Sequence, residues 1–430
     1  LGDALRAILA GFTLALAATG AWAAEQPLYL PAPAWVKPIP LPKAKPENEE
    51  GAAQVLLQNA QSLFSADHDE FYQESAVKIR TAEGLSQWGN VIVSWRPDTE
   101  TLVLHKLQIL RGAEVIDLLG GGKKVTVLRR ETNLEMAMLD GALTATVQPE
   151  GLQVGDVLSF AYTRISHDPV LKGRSEDWAY LSRPGVVTHA YVRALWPKAK
   201  AVRFHATEGL GKGAERAVGD DRELVFDLSD VEAPPPPRGA PVRYQYLAEV
   251  QLSDFANWAD VSALSAPLYD KAATLAPNSA LRAEIQKIKE QSTDPKVRAM
   301  AALKLVEDKI RYLFIGLNNG GYVPAEADVT WERRFGDCKA KTALLLAMLK
   351  ELGIEAQPVL VNTERGDALH DRLPSMGAFD HVAVRARIGG ETYWLDGTRI
   401  GDTDIGGLPH PNFRWVLPVQ ASGGDLERQY

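Results

Sequence analysis

The chain has 430 residues, 46% of them hydrophobic and 24% charged, near the averages of folded globular proteins, which argues against a largely disordered or multi-span membrane chain. With 47 Lys and Arg against 55 Asp and Glu, the net charge is -8 and no basic stripe could track a phosphate backbone, so nucleic acid is not an expected partner. The length suffices for about two or three domains, each with its own core.

The N-terminal stretch "LGDALRAILAGFTLALAATGAWAAEQ" carries one basic residue, Arg6, then an apolar run from Ala7 to about Ala18. It ends in Ala21-Trp22-Ala23, small residues that suit cleavage before Ala24, so residues 1–23 read as a secretory signal peptide. The run is shorter than the roughly 20 residues of a spanning helix. The mature chain is therefore expected in the periplasm or outside the cell, with no membrane span. The initial Leu and the polar ending "GGDLERQY" are compatible with a piece of a longer protein.

Residues 24–50 hold prolines too densely for regular structure and predict an extended leader that contributes little core. The apolar spacing in "EEGAAQVLLQNAQSLFSADHDEFY" predicts one helix. From about Asn90 to Asp230, short β-prone runs alternate with turn residues: Val91 to Trp95, Thr101 to Ile109, Val125 to Leu128, Leu143 to Val147, Val157 to Thr163, Ala190 to Leu195 and Leu224 to Leu228. The expectation is an all-β antiparallel sandwich, with domain bounds 51–233. "GGGKKVT" and "GLGKGAE" are turns, since the first places Lys124 where a phosphate loop needs Ser or Thr for magnesium.

The prolines Pro234 to Pro237, followed by "RGAP", mark a stiff linker over 234–241. Helices followed by strands then predict an α+β domain over 242–430. Asp294-Pro295 starts a helix as cap and first residue, and the loop "GLNNGGYVPAEAD" follows. A second helix begins near Cys338 and is closed by Gly353. Strands are expected at Gln357 to Val361, Phe379 to Ile388 and Glu391 to Asp396.

Cys338 is the only cysteine, so it has no disulfide partner in an exported chain. At the first turn of a helix, free N–H groups and the helix dipole favour a thiolate, while Asp337 as N-cap opposes it, and a cationic histidine would decide the balance. Parity selects that histidine. Gly389-Gly390 is a two-residue hairpin signal, so Ile388 pairs with Glu391 and Ala383 with Asp396. His381 shares the face of Ala383 and is a diagonal neighbour of Asp396. Cysteine at a helix start, with histidine and aspartate on adjacent strands, is the logic of an activated nucleophile: imidazole takes the thiol proton and carboxylate fixes the tautomer. The backbone N–H of Cys338 could hold an oxyanion, with Asn318 or Asn319 as second donor. Tyr322 and Trp331 could line a cleft, and Trp394, on the face of Asp396, could shield it from water.

Singly, each triad residue has a bland explanation in core, strand or turn; their matched order and parity favour a site. No metal is expected, since one cysteine and scattered histidines give no ligand spacing, and no other cofactor is expected.

The block "IRYLFIGLNNGGYVPAEADVTWERRFGDCKAKTALLLAMLKELGIEAQPVLVNT", with "FDHVAV" and "YWLDGT", resembles the bacterial transglutaminase-like superfamily. The subgroup it resembles has a β-rich N-terminal domain of unassigned function, a likeness that extends over about residues 60 to 270. The resemblance implies a papain-like core with Cys338 as nucleophile, His381 as base and Asp396 as orienting residue. Ala340 departs from the pattern, since the subgroup often has an acid there. The implied function is thiol-dependent acyl transfer at amide bonds of a peptide or protein, cell-wall material included. The rival reading is an inactive periplasmic module with a relict catalytic domain, whose β-domain binds another protein.

Overall fold

The computed structural model describes residues 25–44, 51–120, 125–129, 137–139, 141–181, 186–232, 238–241, 248–315 and 321–429. The expected signal peptide, Lys124, the Pro234 to Pro237 run, Asn318 and Asn319 lie outside the described residues.

The architecture has two regions, a β-rich one followed by one of helices around a sheet. The first is built on nine strands. Their path runs Leu28–Tyr29, Glu100–Arg111, Val157–Ser166, Asp69–Ile79, Ala53–Phe64, Val187–Pro197, Asp221–Val231 and Ala214–Val218, with Glu114–Asp117 added to Glu100–Arg111. Pairing is antiparallel except where Leu28–Tyr29 joins Glu100–Arg111 and Ala53–Phe64 joins Val187–Pro197, so the sheet is mixed rather than purely antiparallel.

The helix expected from about residue 50 is instead two neighbouring strands, Ala53–Phe64 and Asp69–Ile79. Ala53–Phe64 is paired on both edges and buried on both faces, so its buried residues run almost without interruption. A strand of that kind loses the alternation that would reveal it, and its apolar spacing imitates a helix.

The proline-rich leader also does more than expected. Val36 is buried with Tyr72 and Ala161, and Ile39 packs against Leu56, Leu57 and Ala76. Trp35 Nε1 donates to Glu70 at 2.8 Å. Proline forbids regular structure but not the burial of intervening side chains.

Two smaller sheets lie on one face of the large one. The register places Leu104, Tyr162, Gln73, Ala60, Val192 and Phe226 in one row across the strands, on that face. Val91–Trp95, Leu143–Val147 and Thr126–Arg129 pack there through Trp95 against Leu102 and Leu104. Glu176–Tyr180, Glu249–Ser253 and Arg203–Ala206 pack through Val250 and Leu252 against Ala190, Trp196 and Phe226.

After α1 (Ala82–Trp88), the remaining helices belong to the second region: α2 (Trp258–Ala272), α3 (Leu281–Gln291), α4 (Pro295–Lys309), α5 (Ala327–Arg333) and α6 (Cys338–Glu351). Asp294 caps α4 by accepting from Lys296 N at 2.8 Å, with Pro295 at its first position, as the sequence predicts. Every residue of α6 before Lys350 is buried, which makes it the axis of the region. Its side chains meet α2 to α5 on one hand and Val382, Val384 and Ala386 on the other. These last belong to an antiparallel sheet ordered Glu391–Leu395, His381–Ile388, Glu355–Val361, Trp415–Pro418 and Glu427–Arg428. The hairpin turns at Gly389 and Gly390, with φ of 63° and 84°, and Ile388 pairs with Glu391 as expected.

The regions share a short parallel ladder, Phe314–Ile315 with Met138–Leu139. Among the described residues no helix is long and apolar enough to cross a membrane.

Candidate functional site

The start of α6 explains itself from "GDCKAK". Asp337 takes extended backbone geometry and its Oδ1 accepts from Ala340 N at 2.9 Å, closing the helix N-terminus. Its Oδ2 holds Lys339 Nζ, and that ammonium lies 4.6 Å from the Phe314 ring centroid. The acidic cap that would oppose a thiolate is thereby neutralised two residues away. Lys341, 1% exposed, donates to Ile310 O at 2.7 Å. Burial lowers its pKa, with Glu307 and Asp396 pulling the other way. Ala340 is fully buried, and a Cβ on Gly336 would lie 2.7 Å from its methyl, so the spot is closed to a larger side chain.

Cys338 sits at the first position of α6, 7% exposed. His381 opens its strand, and Thr342 Oγ1 on α6 donates to Val382 O at 3.2 Å, fixing that strand end to the helix. His381 Nε2 contacts Asp396 Oδ2 at 2.8 Å. Cys338 acts on the same imidazole and helps to raise its pKa, and Nδ1 is the ring nitrogen that the Asp396 contact leaves open to it. Burial of His381 pulls its pKa down, but the hydrogen bonds with Asp396 and Cys338 and their charges outweigh that and push it up to about 10. Burial would raise the Asp396 carboxyl; His381 and two donors from Thr398 hold it below the usual value. Those donors, Thr398 N at 2.9 Å and Thr398 Oγ1 at 2.7 Å, both reach Oδ1, leaving Oδ2 to the histidine.

The structure thus brings Cys338, His381 and Asp396 together. Tyr322 joins them as a wall of the adjoining cleft. Trp331 does not: it is buried in the α-helical core with Arg334 stacked 3.5 Å from its ring. Trp394 packs edge-on against Phe413, which in turn lies 6.3 Å from His381, so its cover of the site is indirect. His370 is not part of the group: its ring stacks on Trp415.

The cleft beside Cys338 has a volume of about 270 Å³; its walls include Tyr269, Tyr312, Phe314, Tyr322, Met376 and Phe379, and its two charged lining residues besides His381, Lys339 and Asp380, are bonded to Asp337 and Thr363. Sequence reasoning missed several of these. Thr398 could have been found, because "LDGT" has the form of an aspartate that binds its own backbone two residues on. Glu176, whose carboxylate grips the cleft wall from the other region, left no local signal. Among the described residues no group of three His, Cys, Asp or Glu could hold a metal ion.

A cysteine at the start of a buried helix stands with a histidine that opens one strand and an aspartate just past Leu395, where the neighbouring strand ends one residue earlier than the sequence predicts. Residues 282–396 match the model of the transglutaminase-like superfamily, and this chain carries a domain of that superfamily. Residues 66–235 match a domain of unknown function, DUF3857. The fold is similar to that of a "putative protease" from Parabacteroides distasonis ATCC 8503, with TM-score 0.70 and 15% identity over 88% of this chain and 72% of that one. At that identity the likeness concerns the fold alone. A structure called a TGase (13% identity, 52% of this chain and 53% of that one, TM-score 0.23) aligns too loosely to carry argument. The same holds for an M1 zinc metallopeptidase from Deinococcus radiodurans (11% identity, 47% and 43%, TM-score 0.26). No curated protein matches the sequence.

Proposed function

We propose that the protein is an exported thiol-dependent acyl-transfer enzyme acting on amide bonds of peptides or proteins, cell-wall peptides included. The observation that carries the reading is the imidazole of His381, held by Asp396 through Nε2 and raised in pKa by Cys338 as well as by Asp396. With the His381 pKa at about 10, Nδ1 already holds the proton that Sγ gives up before substrate binds, and the sulfur attacks the amide carbonyl carbon. Helix geometry leaves the N–H groups of Cys338 and Lys339 without intrahelical acceptors, and they are donors for the oxyanion. Collapse breaks the C–N bond, the imidazolium returns its proton to the leaving amine, and a thioester remains. Water or a second amine, deprotonated by the same imidazole, then releases the acyl group. Asp396 keeps the ring in the tautomer that presents Nδ1 to sulfur.

The domain reading that accompanies this is a signal peptide over 1–23, a leader to 50, a β-sandwich over 51–233, a linker over 234–241 and an α+β catalytic domain over 242–430. Incubation with a peptide library, read by mass spectrometry, tests the function. New cleavage or transamidation products should form with the parent and vanish with Cys338→Ala. Identical product sets from the two proteins would reject it.

A further inference from the structure

The loop that leads into His381 is held by the small sheet of Glu176–Tyr180 and Glu249–Ser253. Alternate residues of Glu249–Ser253 present one face to it. Glu249 Oε1 accepts from Arg372 Nη2 at 3.0 Å, Gln251 Oε1 from Leu373 N at 3.1 Å, and Ser253 Oγ donates to Pro374 O at 2.6 Å. Glu176, opposite Ser253 in the ladder, continues the row. Its two oxygens accept from Met376 N at 2.7 Å and Gly377 N at 2.9 Å, and Tyr322 OH lies 3.4 Å from Oε1. Met376 and Tyr322 are walls of the cleft. Gly377 lies against Trp178, where an added Cβ would stand 2.9 Å from the indole and 3.1 Å from Glu176 Oε1.

A single carboxylate of the β-rich region therefore ties two walls of the cleft from opposite segments of the chain. The walls it sets are aromatic and apolar, so the group they accept beside the sulfur is bulky and uncharged. We propose that the cleft selects an acyl donor with a bulky apolar side chain, and that Glu176 is the positioning residue that fixes the wall which selects it. The proposal rests on the thiol-enzyme reading above and gives the β-rich region a part in the site.

Two reagents separate the proposal from that reading. Iodoacetamide reports the Cys338–His381 pair alone, whereas tosyl-phenylalanine chloromethyl ketone must also seat its aromatic side chain. In both, sulfur forms a bond to carbon and halide leaves. The parent should prefer the phenylalanine reagent over its glycine counterpart by at least about tenfold. Glu176→Ala should cut that preference severalfold while the iodoacetamide rate changes by a smaller factor, and Glu176→Gln, which keeps one acceptor, should fall between. Gly377→Ala, which forces the turn off Trp178 and off the Glu176 carboxylate while leaving that carboxylate in the chain, should give the same split and decides the matter if Glu176→Ala does not fold. An unaltered phenylalanine-to-glycine preference in the folded variants, or no preference in the parent, overturns the proposal. Loss of iodoacetamide labelling in the parent would instead overturn the catalytic reading.

Discussion

At the scale of single residues, the unusual group is His381, whose imidazolium is favoured by Asp396 and Cys338 enough to outlast ordinary conditions. The sign of its contribution follows. A histidine that binds its proton more tightly when folded adds stability that is fully present below its unfolded value near 6.5 and disappears as pH rises towards about 10. Asp396→Asn keeps the shape but removes the carboxylate. The variant should lose about 2 kcal/mol against the parent at pH 6, the size of a charged hydrogen bond, and the gap should narrow above pH 10. Urea unfolding at the two pH values measures it, and a gap that widened with pH would contradict the assignment. The same substitution should bring the imidazolium limb of Cys338 alkylation down from about 10 towards neutrality, which an alkylation-rate profile would register.

At the scale of elements, α6 depends on how its first turn is closed. Asp337 both caps the helix and neutralises Lys339, whose side chain is largely buried. Asp337→Ala should cost about 1 kcal/mol for the cap and more for the unpaired ammonium. Lys339→Met in the Asp337→Ala background should therefore recover part of the loss, a non-additivity that thermal unfolding of the three variants would reveal. This helix and the hairpin at Gly389-Gly390 were legible in the sequence because their signals are local: a cap, an apolar run, a turn dipeptide. From those two elements strand parity was enough to bring His381 and Asp396 to one face. Ala53–Phe64 was not legible, because burial on both faces erased its period. Nor was the grip of Glu176 on Met376 and Gly377, since partners 200 and 201 residues apart leave no spacing to read. Trp331 misled for a related reason: an aromatic residue near a nucleophile looks the same in sequence whether it faces a cleft or a core.

At the scale of the whole molecule, buried carboxyls lie both where a small sheet meets the large one and where it meets the helical region. Burial pushes Asp69 up to about 7, although Ser175 Oγ donates to it at 2.7 Å and Lys200 is near. Burial likewise raises Glu176 to about 7 against the pull of its backbone donors. A carboxyl raised in the folded state binds its proton more tightly there than in the unfolded chain, so its stabilising effect is complete below its unfolded value and is lost as pH climbs to the folded one. For these two the window runs from about 4 to about 7. Carboxyls lowered by partners, such as Asp156 beside Arg111, act with the opposite sign, but below their unfolded values near 4. His105, lowered by burial, opposes the trend within the window as one site. The melting temperature should therefore fall by about 3 °C between pH 5 and pH 8, the scale expected for a few kcal/mol in a chain of this size. Asp69→Asn preserves the acceptor for Ser175 and removes the titration, so the variant should show a shallower decline and a higher melting temperature than the parent at pH 8. Differential scanning calorimetry at the two pH values gives both numbers, and an equal slope in parent and variant would remove Asp69 from the account of this pH dependence.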